Sequence, residues 1–169
     1  MQPQEHSALR RNANAKQQPL KVLAVIDGSE RTGRIIEYAL TLAQGGRPLE
    51  LVLLGVVREP PDGRLRGYGS FKRDEVHARL KDVLGQRAVS AAARRFDQEG
   101  IAHKDRIEIG DPLDTILRVA SEEGSDMVLI GDAPAGMIQR WLPKVIGLSV
   151  ATVASQITLV APIPVVVVK

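Results

Sequence analysis

Short, uninterrupted apolar runs constrain this chain most. Val22–Ile26, Leu49–Val57, Met127–Ile130 and Ile163–Val168 are nearly continuous in apolar residues, mostly Val, Ile and Leu. A strand with one wet face alternates apolar and polar residues, whereas a strand covered on both faces reads as a solid apolar run. Between these runs the apolar residues fall at helical spacing. Ile35, Ile36, Ala39, Leu40, Leu42 and Ala43 mark one face after Ser29, a candidate N-cap, and Gly45-Gly46 end the stretch. A long helical pattern spans Asp74 to about Glu99, with Val76, Leu80, Val83, Leu84, Ala88, Ala91, Ala92 and Phe96 as its inner face. Asp111-Pro112 opens a third helix, an acid at the cap and a proline in the first turn, with Ile116, Leu117, Val119 and Ala120 inward. Ile101–Ile109 alternates apolar and charged residues, the pattern of an edge strand.

Strands alternating with helices, each crossover long enough for a right-handed return, predict one α/β domain. Its expected form is a doubly wound, five-stranded parallel sheet with helices on both faces. Residues 1–19 lack a hydrophobic period and are expected to be a disordered tail, leaving 20–169 as the domain.

Composition narrows the function classes. The chain has no cysteine, which excludes disulfides, zinc–thiolate sites and cysteine nucleophiles. Its net charge of +3 arises locally, in Arg10, Arg11 and Lys16 of the tail and in Arg58, Arg64, Arg66, Lys72 and Arg73 of a glycine-rich loop at 58–73. No basic stripe or recognition helix accompanies it, and aromatic residues make up only 3%, so nucleic-acid binding is not expected. No apolar run approaches the ~18 residues that span a bilayer, and a cytoplasmic location without membrane contact is the expectation. His6, His77 and His103 stand outside any nucleophile, base or metal motif, and no G-x-S-x-G or phosphate-binding G-x4-G-K-[S/T] sequence occurs. No catalytic residue and no metal ligand is assigned.

Open parallel sheets bind ligands beyond the carboxyl ends of their strands, where the strand order switches. That directs attention to Asp27-Gly28-Ser29, Val56-Val57, Gly131 and Gly147–Ser149. With Lys21–Glu30 and the closing Ala161-Pro-Ile-Pro-Val-Val-Val-Val-Lys169, these segments resemble the universal stress protein family over residues 20–169. The resemblance implies a Rossmann-like fold of the adenine nucleotide alpha hydrolase-like type. In nucleotide-binding members an aspartate after the first strand and a residue after the second hold adenine and ribose, and a G-x2-G-x9-G-[S/T] segment wraps the phosphates. By resemblance those roles fall to Asp27, Val56, Gly131, Gly136, Gly147 and Ser149, with ATP and magnesium as the implied cofactor. The motif here is degenerate. Four residues separate Gly131 from Gly136, ten separate Gly136 from Gly147, Leu148 stands before Ser149, and Pro134 brings no N–H. The bland alternatives are that Asp27 caps the following turn and that Ser149 is only an N-cap.

The resemblance also implies a homodimer through the last strand, and the loop 58–73 is the candidate surface for a protein partner. The expected function is a small dimeric binding or interaction module of the stress response, not an enzyme. An ATP-binding sensor, whose occupancy controls partner binding, is the alternative.

Overall fold

The computed structural model describes residues 18–58, 75–79, 81–132 and 153–169. The expected tail up to residue 17 and the loop residues 59–73 lie outside them. Five strands run in the order β3-β2-β1-β4-β5, every neighbouring pair parallel. They are β1 (Leu20–Val25), β2 (Leu49–Val57), β3 (His103–Ile109), β4 (Met127–Gly131) and β5 (Val165–Val168). Four α-helices are labelled α1 (Glu30–Gln44), α2 (Gln86–Gln98), α3 (Pro112–Glu122) and α4 (Val153–Val160), and residues 75–79 are helical as well.

The strands alternate strictly in what they bury. Val22, Ala24, Leu51, Leu53 and Leu129 pack with Ile35, Ile36 and Ala39 of α1 and with Val89, Ala92 and Phe96 of α2. Leu23, Leu54, Val128 and Ile130 face the other way, onto Ile116 and Val119 of α3 and Ala154 and Ile157 of α4. A period of two lined on both sides by helices explains why β1, β2 and β4 read as solid apolar runs. β3 and β5 close the sheet at its two edges.

The caps follow the sequence reading. Ser29 caps α1, and Asp111 caps α3 by accepting from the N–H groups of Leu113 and Asp114 at 2.9 and 3.2 Å. Gly46, beyond the end of α1, takes φ +79, a conformation open to glycine at little cost.

The second helical stretch departs from the expectation. It is not one continuous α-helix: a π-helical turn occupies Lys81–Gly85, and α2 follows it. The buried face of α2 is Val89, Ala92, Ala93 and Phe96, whereas Ala91 is exposed and Ala88 only partly covered. A π-turn holds an extra residue, so it rotates the helix after it by about one position. Glycines accommodate the crowding there. A Cβ on Gly85 would come within 2.3 Å of Ile107 Cγ2, and one on Gly55 within 2.9 Å of Val89 Cγ2. Gly55 therefore belongs to the packed sheet, not to the loop that follows it.

Candidate functional site

β1 is the last strand of one half-sheet and β4 the first of the other, so the strand order switches between them. A pocket of about 340 Å³ opens beyond their carboxyl ends. Its apolar wall comes from Val25, Val56, Ile116, Ile130, Val153 and Ala154, and its polar side from Asp27, Arg31 and Arg58.

Asp27 is held by its own loop. Gly28 turns the chain with φ +71, and space above it is short because an added Cβ would lie 3.0 Å from Ala88 Cβ. The turn brings three donors onto Asp27 Oδ1: Ser29 N at 3.0 Å, Ser29 Oγ at 2.6 Å and Thr32 Oγ1 at 3.1 Å. Thr32, buried, in turn accepts from Gly28 N at 3.1 Å. Arg31 donates to Asp27 Oδ2 at 2.7 Å. Burial pushes the Asp27 carboxyl up, but the Ser29 hydroxyl, the Ser29 N–H and Arg31 together outweigh it, and the group is held below the usual carboxylate range.

Gly131 ends β4 against the same arginine. A Cβ there would fall 2.9 Å from Arg31 Cβ and 3.2 Å from Arg31 Cδ. Glycine thus lets the first turn of α1 lie across the end of β4, which carries the Arg31 stem over the mouth of the crevice.

Of the residues singled out in the sequence, Asp27, Val56 and Gly131 line this one pocket. Gly136, Gly147 and Ser149 lie outside the described residues, as does Pro134. Arg31 and Val153 were not singled out, and Arg58 and Ile116 were read as a loop charge and a core residue, not as parts of the site. The signal for Arg31 was its place in the first turn of α1, close behind the loop that carries Asp27.

His103 stands at the opposite end of the sheet, at the start of β3. Its ring nitrogens lie 3.8 Å from Asp97 and 3.7 Å from Asp105, so it does neighbour carboxylates, in space and not in a motif. Among the described residues no group of three or more His, Asp or Glu side chains could hold a metal ion. No helix among them is long and apolar enough to cross a membrane.

The universal stress protein family model matches residues 20–169. A sequence comparison with curated proteins gives no match. Among solved structures, the universal stress protein UspA from Lactobacillus plantarum is 22% identical, with a TM-score of 0.63 over 90% of this chain and 99% of that one. A universal stress protein from Archaeoglobus fulgidus in complex with dAMP is 22% identical, TM-score 0.54, covering 90% and 99%. A universal stress protein family protein from Arabidopsis thaliana with AMP bound is 17% identical, TM-score 0.60, covering 89% and 92%. At these identities the structural likeness establishes the fold alone.

Proposed function

The chain belongs to the universal stress protein family, and we propose that it is a small binding protein whose switch-point pocket takes an adenine nucleotide. One observation carries the reading: an apolar pocket at the reversal of strand order, bounded on its polar side by one carboxylate and two arginines. Its walls suit the faces of a flat ring, and its charges suit an anionic substituent. Relatives of the same fold were solved with dAMP and with AMP. Of the two readings open at the level of sequence, this pocket favours the nucleotide-binding one.

The fit at Asp27 is specific. Four donors from its own loop occupy the carboxylate, leaving room on Oδ2 for one more, such as an exocyclic amine. Asp27 is the one carboxylate among the described residues lining the pocket, and magnesium would come with the phosphates of ATP. The proposal is binding without turnover.

The test is nucleotide released by denaturing freshly purified protein, together with calorimetric titration of AMP and of ATP with magnesium. Saturable binding, weakened by Asp27→Ala, is the expected result. No released nucleotide, and no heat at millimolar ligand, overturns it.

A second reading concerns assembly. β5 is an edge strand whose four valines are each only partly buried, and an uncovered apolar edge pairs readily with another chain. We take it as the contact of a homodimer. The loop 58–73 remains the proposed surface for a protein partner, on the strength of its basic charge.

A further inference from the structure

We infer that Arg31 is a ligand-binding residue, seated by Asp27, and that with Arg58 it makes the pocket select the phosphate of a nucleotide over the nucleoside that lacks one. The inference rests on the nucleotide reading above and adds the residue that sets the ligand's charge.

Arg31 is placed in an unusual way for a helix-surface arginine. Its stem is pressed onto Gly131, and its side chain is only 15% exposed. A guanidinium carries five N–H donors, and among the described residues one nitrogen is engaged, by Asp27 Oδ2. A permanently charged, partly covered group thus has donors to offer an acceptor entering the pocket. Arg58, across the pocket at the end of β2, has no carboxylate within ion-pair distance among the described residues. Among the described residues, two guanidinium groups against one carboxylate leave the lining with a net positive charge.

Other sources of positive potential are weaker. The start of α3 also borders the pocket through Pro112, but the Asp111 carboxylate already accepts from its free N–H groups. Among the described residues the arginines are therefore the groups that an anion meets. Planar, forked donors suit a phosphate, and such charge-assisted bonds are about twice as strong as neutral ones.

The experiment compares AMP and adenosine by calorimetry on the full chain, in wild type, Arg31→Met, Arg31→Lys and Arg58→Met. Wild type should bind AMP at least about tenfold more tightly than adenosine. Arg31→Met should weaken AMP more than adenosine and so erase most of that ratio, and Arg31→Lys should keep part of it. A structural defect would weaken both ligands alike, so the ratio is the decisive readout. If Arg31→Met fails to fold, Arg31→Lys and Arg58→Met carry the test, each expected to lower the ratio severalfold. Equal affinity of wild type for the two ligands, or an unchanged ratio in the variants, overturns the inference and leaves nucleotide binding standing. If wild type binds neither ligand, the nucleotide reading falls and takes the inference with it.

Discussion

The side chain of Arg31 crosses the face of Gly131 and places a guanidinium nitrogen 2.7 Å from Asp27 Oδ2. This contact joins the end of β1 to the end of β4 through the first turn of α1. Those ends form the switch point of the sheet, so the ion pair is a structural brace and a polar wall of the pocket at once. The bland reading of Asp27 as a turn former and the functional reading as a ligand contact are therefore compatible: the loop orders the carboxylate, and the pocket presents what remains of it.

Gly131→Ala tests the brace. The new methyl group would meet Arg31 Cβ, an atom fixed to the helix backbone and not the free end of a side chain. The first turn of α1 must shift, and overpacking of this kind costs about 1–3 kcal/mol. Chemical denaturation should show that loss. A variant as stable as wild type would mean that α1 is not seated on β4 as described.

A second packing test lies at the π-turn. Gly85→Ala should destabilise by about 1–3 kcal/mol, because its Cβ would fall 2.3 Å from Ile107 Cγ2. On an Ile107→Ala background the same substitution should cost much less, since the obstructing methyl is gone. Equal costs on the two backgrounds would show that the pair does not interact.

The core was legible because its pattern is local. Leu49–Val57 reads as a buried strand from its own residues and is β2 with those bounds. Ser29, Asp111 and Pro112 carry their capping chemistry in their side chains. The inner face of α2 was not legible. Val89 and Ala93 replace Ala88 and Ala91 because a π-turn upstream changes the phase, and no residue type announces a π-turn. Gly55 and Gly85 look like loop or breaker glycines, yet each answers to a neighbour remote in sequence, Val89 or Ile107. At the site, Asp27, Val56 and Gly131 followed from the topology of a parallel sheet. Arg31 did not, because its role depends on how closely α1 approaches β4.

Acid should weaken the fold through β3 and α3. Arg106 lies between Glu108, Glu122 and Glu123, with Lys104 and Arg118 completing the network. Hydrogen bonds from Arg118 and then Arg106 hold Glu122 below its ordinary 4.5. The Lys104 hydrogen bond, with that of Arg106 and against burial, does the same for Glu123. A carboxyl with a depressed folded pKa adds stability that is present above its unfolded value and lost as pH falls through its folded one. Asp27 acts in the same sense, whereas Asp105, raised by burial, opposes it. Melting temperature should therefore drop on acidification below about pH 4.5. Arg106→Gln should lower it at neutral pH and flatten the acid dependence. A wild-type profile that is flat or rises toward pH 3 would contradict this account.

The proposed dimer contact can be cut without touching the sheet. Pro164 O and Val168 O accept from Val128 N and Asp132 N of the β4 side. Strand groups alternate in direction, so the N–H groups of Val165 and Val167 point to the open edge. Val167→Pro removes one outward donor and leaves the β4 ladder in place. Sedimentation should find wild type as a dimer and the variant shifted to monomer, with a similar melting curve at high concentration. A monomeric wild type, or a variant that stays dimeric, rules out this edge as the contact.

The most direct measurement of the central claim is residue-resolved NMR of the labelled chain titrated with AMP. The amides of Gly28, Arg31, Val56 and Gly131, spread over three separate strand ends, should shift together along one saturation curve. Those at the far end of the sheet, around His103 and Ser125, should stay in place. No shift at the switch point with millimolar AMP, or shifts confined to another surface, would contradict the account.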